Sequence, residues 1–381
     1  MRILHCCLSC FYIDEYNYQE NVLPKIHHQN GHEVKIIAST EVINNNKSLS
    51  YVLPSSYKTP EGINITRVPY RRYLPHVIMK KIRHYKYVKK LIEDFKPDVI
   101  LFHGVPAFEL FTVSRYKKNN PNIRLYVDSH EDENNSARNL VSKYILHSFF
   151  YKFIVQKNIQ SIDSVLYITP ESKDFLKKYY NIPEDKLEFF PLGGVIIEEK
   201  QKKEMRLKVR NELNLKNEDI LLCHSGKMNK NKKTKELVEN FIKIKNENLK
   251  LIIIGTFTQD VEKVVMPLIQ SDSRINYLGW KSAEELMEYL AASDLYVQPG
   301  SQSATMQNAL CVGTPVLFKN VKSHEIYMKG NAFSIDNYNE MEIIFNNISN
   351  DNDLLKTMSK KAYCLARDIL DYNKLAKKIT E

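Results

Sequence analysis

Two lysines five residues apart, Lys227 and Lys232, follow an apolar run that ends at His224, with Gly226 directly before the first. Two cations just past a strand end suit a diphosphate. Further on, Asp294-Leu-Tyr-Val-Gln-Pro-Gly-Ser-Gln-Ser-Ala-Thr-Met-Gln-Asn-Ala-Leu310 reads as a strand, a Ser-rich turn and a helix start, whose free backbone N–H groups would hold an anion. In the first half, His130 stands in Asp128-Ser-His-Glu-Asp-Glu133, after the apolar run Arg124 to Asp128, and His103 stands likewise after Asp98 to Phe102. A ring at a strand end can act on a ligand. The plain alternatives are a helix cap for His130, a solvated basic loop for the lysines, caps for Ser303 and Thr305, and a solvated helix start for the acids at 131–133.

Other chemistries lack their residues. Neither opening strand is followed by G-x-G-x-x-G, the chain holds only 11 glycines, and no G-x-x-x-x-G-K-[ST] occurs. This argues against nicotinamide or flavin enzymes and P-loop ATPases. Cys7 and Cys10 form a C-x-x-C with no second Cys or His pair at finger spacing, and the six cysteines are too scattered for a disulfide framework. No metal site is expected.

Elements able to position these residues alternate along the chain. Strands are expected at Arg2 to Cys7, Glu33 to Ala38, Asp98 to Phe102, Arg124 to Asp128 and Ser164 to Ile168. Helices fall at Tyr18 to Gln29, Lys80 to Phe95, Glu109 to Lys118 and Pro170 to Tyr180. Pro191-Leu-Gly-Gly194 then breaks the pattern. After the charged segment Glu198 to Leu213, strands recur at Ile220 to His224, Lys250 to Ile254, Ile275 to Leu278, Leu295 to Gln298 and Val316 to Phe318, with helices at Lys235 to Asn246 and Ala283 to Ala292. Low-complexity sequence is limited to Asn/Lys-rich loops such as Asn44 to Lys47 and Asn229 to Lys233. A last helix, Asp353 to Lys378, completes the chain. The 381 residues thus read as α/β, two tandem Rossmann-like doubly wound domains with an interdomain cleft: 1–195, 196–352, and a terminal helix in 353–381 that packs across both.

The sequence resembles the GT-B glycosyltransferases, most closely family 4 of the retaining enzymes. The likeness is carried by Gly226-Lys227 with Lys232 ahead of Glu236-Leu-Val-Glu-Asn-Phe241, by Tyr277-Leu-Gly-Trp280, Glu285 to Tyr289, Ala292 to Pro299 and Cys311-Val-Gly-Thr-Pro-Val316, in the family's order. In the first half Asn30-Gly-His-Glu-Val34, Pro97 to His103 and Lys186 to Pro191 fit the same template. The resemblance implies a metal-independent, cofactor-free hexosyltransferase with a nucleotide-sugar donor in the second domain and a glycan or polyprenyl-linked acceptor in the first. Catalytic roles fall to His130, Lys227 and Lys232. Donor contacts fall to Gly226, Gln302, Ser303, Thr305, Gln307, Asn308 and Glu325, and acceptor contacts to Tyr16, Gln19, Glu20 and His103. Cell-surface polysaccharide synthesis, of O-antigen or capsule, is the implied setting.

The departures are specific. The family's Glu-any seven-Glu before G-T-P-V has Asn308 at its second position, and the first falls on Gly300, so Gln302, Ser303 or Thr305 are the neutral substitutes. The amino-terminal Gly-Gly loop is replaced by Asp14-Glu-Tyr-Asn-Tyr-Gln-Glu-Asn21. A nucleotide-sugar epimerase or hydrolase of the same fold, or a non-catalytic membrane-associated assembly partner, would also fit these changes.

The formal charge is +10, and Arg67 to Lys90 interleaves Arg71, Arg72, Lys80, Lys81, Arg83, Lys86, Lys89 and Lys90 with Tyr70, Tyr73, Tyr85 and Tyr87. With the aromatic stretch Tyr144 to Phe153, this suits peripheral attachment to an anionic leaflet. No nucleic-acid motif accompanies it. The amino terminus runs directly into a strand pattern, so a cytoplasmic protein on the inner face of the plasma membrane is expected.

Overall fold

The apolar runs become parallel strands buried on both faces, as their unbroken hydrophobicity requires. In the computed structural model, which describes residues 1–14, 16–43, 48–133, 135–301 and 303–381, the chain forms two compact units, Met1–Pro191 together with Tyr372–Glu381, and Leu192–Asp371. Glu15, Gln302 and the expected loop Asn44 to Lys47 lie outside the described residues.

In the first unit the strands are β1 (Arg2–Cys7), β2 (Glu33–Ser39), β3 (Glu41–Ile43), β4 (Leu49–Tyr51), β5 (Ser55–Lys58), β6 (Asn64–Val68), β7 (Val99–Phe102), β8 (Arg124–Ser129), β9 (Ser164–Tyr167) and β10 (Leu187–Phe189). The main sheet has the order β10-β9-β8-β7-β1-β2-β6-β5, parallel except for β5, while β3 and β4 make a separate antiparallel pair. The second unit holds β11 (Ile220–Met228), β12 (Leu249–Phe257), β13 (Ile275–Gly279), β14 (Leu295–Gln298), β15 (Val316–Lys319) and β16 (Ala332–Ile335), all parallel in the order β13-β12-β11-β14-β15-β16. Each sheet reverses its direction of growth once, at β1/β7 and at β11/β14. In doubly wound sheets such a reversal is where ligands bind, at the carboxyl ends of the strands.

Three expectations are corrected. The helix read over Lys80 to Phe95 is two, His76–Ile82 and Val88–Phe95, because Arg83 and Tyr87 take left-handed backbone. Tyr85, 1% exposed, is drawn into the core, where its hydroxyl donates to the Leu8 carbonyl at 3.0 Å. The last helix is also two, Asn352–Ile369 and Tyr372–Thr380, the second belonging to the first unit. Its Leu375, Ala376 and Ile379 pack against Ile3, Leu23 and Leu101. Finally, no helix starts at Glu131: that side chain is 9% exposed and accepts from the Ser129 hydroxyl at 2.5 Å, and an eleven-residue π-helix begins later, at Val141–Tyr151.

Burial holds His27, His84, His147 and His224 neutral down to about 4, and His5 lower than its usual range. The unfolded chain protonates these rings near 6.5, so between that pH and 4 it binds more protons than the folded chain and stability falls with pH. Four of the five rings lie in the first unit. Calorimetry from pH 7 down to 5 should show its transition moving to lower temperature faster than that of the second unit. Equal slopes, or none, would contradict the assignment.

Candidate functional site

In the second unit, β11 continues past His224, its expected end, because it pairs with β12 as far as Met228↔Phe257. Ser225-Gly226-Lys227 therefore lies in the strand, with Lys227 exposed at its end. Gly226 and Gly255 face each other, both at φ 136°, and a Cβ on Gly255 would lie 1.9 Å from the Gly226 carbonyl oxygen. Beyond the strand, the Asn229 side chain accepts from the Asn231 N–H at 3.0 Å and starts a single turn, Lys230–Lys232. The turn carries Lys232 inward to 9% exposure, where Nζ donates to the Ser301 carbonyl at 3.0 Å. In return the Ser301 N–H donates to the Asn231 carbonyl at 2.9 Å. Gly300 allows this approach, since a Cβ there would meet the same carbonyl oxygen at 2.1 Å. The loops after β11 and β14 are thus stitched together at the point where strand order reverses. Burial lowers the Lys232 pKa, so an anion arriving beside it would relieve a cost already incurred.

Ser303 precedes the helix Ala304–Cys311 without capping it; its hydroxyl donates to Gln298 Oε1 at 2.9 Å. Gln298 Nε2 lies 3.2 Å from His324 Nε2, and His324 Nδ1 lies 2.8 Å from the Lys319 carbonyl. A carbonyl can only accept, so His324 donates through Nδ1 and receives the Gln298 amide at Nε2. Thr305 is half-buried. Gln307, 3% exposed, turns into the core and donates to the Tyr327 hydroxyl at 2.9 Å. Asn308 is half-buried beside Gly194, 3.7 Å from where a Cβ there would stand. Glu325 is exposed, one residue after His324. Gly226, Lys232 and Ser303 therefore gather at the strand ends, Gln307 does not, and Gln302 lies outside the described residues.

In the first unit the corresponding point is β1/β7. His103, 1% exposed, follows β7 and places Nδ1 2.5 Å from Asp128 Oδ2 at the end of β8. Asp128 Oδ1 accepts the Gly104 N–H at 2.7 Å and lies 3.8 Å from His130 Nε2, whose side chain is 37% exposed. Burial opposes charge on both partners, but the carboxylate outweighs it at His103, whose pKa rises to about 9. The imidazolium outweighs it at Asp128, which is held below its usual range. His103 thus has both ring nitrogens engaged, with Nε2 3.0 Å from His5 Nδ1. Tyr16 is 40% exposed, its ring 5.2 Å from that of Tyr18. Gln19 and Glu20 are buried at the start of the helix Gln19–Gln29; Gln19 Nε2 is 3.5 Å from the Pro191 carbonyl, and its Oε1 has no hydrogen-bond partner. Among the described residues no group of three or more His, Cys, Asp or Glu could hold a metal.

Asp128, His5, Gln298 and His324 were missed as site residues. Asp128 carried a usable signal, two residues before His130 on the same strand end. Gln298 and His324 carried none, because their pairing joins separate loops.

The model for glycosyl transferases group 1 matches residues 205–364, and that for glycosyltransferase family 4 matches residues 27–193. No curated protein matches the sequence. Among solved structures, the fold is shared by Anabaena Alr3699/HepE in complex with UDP, at TM-score 0.68 and 13% identity over 100% of this chain and 98% of that one. It is shared by sucrose-phosphate synthase from Thermosynechococcus elongatus, at 0.67 and 13% over 100% and 97%. WaaG, a glycosyltransferase involved in lipopolysaccharide biosynthesis, matches at 0.63 and 15% over 99% and 98%.

The stitched loops generate a direct test. Gly300→Ala should force Asn231 and Ser301 apart and destabilise the second unit by about 1–3 kcal/mol in urea unfolding. Wild-type stability in this variant would mean that the two loops do not need their close approach.

Proposed function

We propose that this chain, a GT-B glycosyltransferase of the group 1, family 4-like type, transfers a sugar from a nucleotide-sugar donor in its second unit to a glycan or lipid-linked acceptor in its first, with retention of configuration. Cell-surface polysaccharide synthesis is the role we assign. The observation that carries the donor assignment is the inward ammonium of Lys232, held between the loops that follow β11 and β14.

As the bond from the anomeric carbon to the donor phosphate breaks, negative charge develops on the departing nucleoside diphosphate. Lys232, the exposed Lys227 and the uncapped first-turn amides of the helix Ala304–Cys311 would stabilise it without a metal. Gly226 lets the backbone approach. Ser303 and Thr305 stand near the family's first carboxylate position, with Gln302 as the third neutral substitute; Asn308 takes the ribose, and Glu325 lines the donor pocket. Gln307, turned into the core, anchors the helix instead. In the first unit, His130 orients the transferring sugar. The unpartnered Gln19 Oε1 suits a hydroxyl donor from the acceptor, and Glu20 and Tyr16 are assigned to the acceptor with it. His103 supports His130 rather than touching the acceptor.

The acceptor side carries a surface suited to lipid. Leu140, Val141, Tyr144, Ile145, Phe149 and Phe153 are 54–75% exposed on the π-helix and its flanks. Val77 and Ile78 are exposed on the neighbouring helix His76–Ile82, which is joined to the π-helix by the Tyr151 hydroxyl donating to the Lys81 carbonyl at 2.5 Å. Lys80, Lys81, Lys143 and Lys152 accompany them. Arg83 does not: its guanidinium donates inward to Ser9 Oγ at 2.6 Å and to the Pro106 carbonyl at 3.1 Å. No helix among the described residues is long and apolar enough to cross a membrane. We assign a peripheral position on the cytoplasmic face of the plasma membrane, where a polyprenyl-linked acceptor would be presented. Nucleic acid is not assigned as a partner.

Lys232→Ala should lower turnover roughly 100 to 1,000-fold, about 2.7–4 kcal/mol, while the protein stays folded. Wild-type turnover should persist in excess chelator. An unimpaired Lys232→Ala enzyme, or one silenced by EDTA and restored by Mg²⁺, would overturn the donor chemistry. Binding to anionic vesicles should weaken with salt, each basic residue contributing about 1 kcal/mol. It should be lost in a Leu140→Glu/Phe149→Glu variant and in one with Lys80, Lys81, Lys143 and Lys152 changed to Glu. Equal cosedimentation of wild type and both variants would remove the membrane reading and leave the transferase reading in place.

A further inference from the structure

Three imidazoles form a buried row in the first unit, inward of His130. His103 Nε2 lies 3.0 Å from His5 Nδ1, and His5 Nε2 lies 3.1 Å from His27 Nδ1. Both ends of the row meet groups that accept. At one end His103 Nδ1 faces the Asp128 carboxylate at 2.5 Å; at the other His27 Nε2 faces the backbone carbonyl of Ala376 at 3.1 Å. All three rings are 0–1% exposed.

The proton count is then constrained. Four hydrogen bonds in series need four protons, and three neutral imidazoles bring three. If every ring were neutral and Asp128 ionised, one gap would hold two lone pairs facing each other, a buried unsatisfied pair that costs as much as a lost hydrogen bond on each side. The carbonyl of Ala376 cannot supply the missing proton. We propose that the row carries one extra proton, forced by acceptors at both ends and resting on His103 beside Asp128, and that this proton latches the helix Tyr372–Thr380 onto the first unit.

The directions of titration agree with this placement. His5 and His27 are held neutral by burial, while His103 is held charged up to about 9 by Asp128. The other titratable groups facing the row are Cys7 on β1, Cys10 beyond it, Glu20 on the helix Gln19–Gln29, His32 against His27, and His130 against Asp128. For a ring whose folded pKa is raised, stability is fully present below the unfolded value and is lost as pH rises through the folded one. The latch is therefore complete below pH 6.5 and fails toward 9. The helix keeps its apolar contacts and the Arg124 bond to the Thr380 carbonyl at 2.6 Å, so losing the proton loosens the helix without expelling it. This reading uses no donor, acceptor or catalytic role, and it stands or falls separately from the transferase assignment.

The test is a titration of the full chain labelled with ¹⁵N in its histidine rings, from pH 5.5 to 10. At pH 7 one ring of the three should carry protons on both nitrogens and titrate well above 6.5, while the other two stay neutral with a single N–H. Amide exchange in residues 372–380 should accelerate through that titration relative to the helix Pro170–Tyr180 of the same unit. In His27→Phe the link to Ala376 is gone and two neutral rings satisfy the two remaining gaps, so the His103 titration should fall below its wild-type value, with Asp128 still holding it up in part. In His27→Gln the amide can accept from His5 and donate to Ala376, so the titration should stay high. Three neutral rings with the proton on Asp128, or a His103 that titrates alike in wild type and His27→Phe, would overturn the proposal. The wild-type measurement decides it even if the phenylalanine variant fails to fold.

Discussion

A parallel sheet that grows outward in both directions from one strand must part its loops once, and both units are organised around that parting. At β11/β14 the loops are held by Lys232 and Ser301; at β1/β7 His103 meets His5 of β1 at 3.0 Å, and the Asp128 carboxylate at the end of β8 receives His103 and the Gly104 amide. Strand ends buried on both faces leave little water to solvate charge, so each cation found there must be held by an oxygen placed for it. In the second unit one such oxygen is the Ser301 peptide carbonyl, which does not neutralise the ammonium's charge. In the first it is a carboxylate, which neutralises it.

That difference divides the two candidate sites chemically. A lysine whose pKa is lowered by burial gains when a phosphate arrives. A histidine already paired with an ionised Asp128 gains little from a second anion, while the other oxygen of that carboxylate accepts the Gly104 N–H and faces His130. The same residue types that read alike in sequence, cations just past strand ends, thus serve binding in one unit and support in the other.

Much of the architecture was legible because parallel strands are apolar without interruption: β1, β8, β11 and β14 stand where hydrophobic runs placed them, although β11 extends to Met228 through a Gly-Gly pairing that no local pattern reveals. Elements with little apolar content, β3 to β5, were not legible, since pairing rather than composition makes them strands. The break at Arg83 to Tyr87 was hidden for a related reason. Helical periodicity continues through it, and only the burial of Tyr85 between Leu8 and Tyr70 overrides the local preference. At the candidate sites, spacing singled out Lys232 and strand-end position singled out His130. Neither could find His5 and His27, whose significance depends on a carbonyl 349 residues from His27.

The return of residues 372–381 to the first unit sets an order in time. On the ribosome, the surface formed by Ile3, Leu23 and Leu101 is complete long before Leu375, Ala376 and Ile379 exist to cover it. At about 5–20 residues per second, synthesis of the intervening second unit occupies on the order of ten to forty seconds. Throughout that interval the first unit exists with an open apolar face and with His27 lacking its carbonyl, while the second unit has all of its own strands by β16. The part of the chain made first is therefore the part finished last, and a nascent chain interrupted near Asp371 would carry a finished second unit beside an unfinished first one.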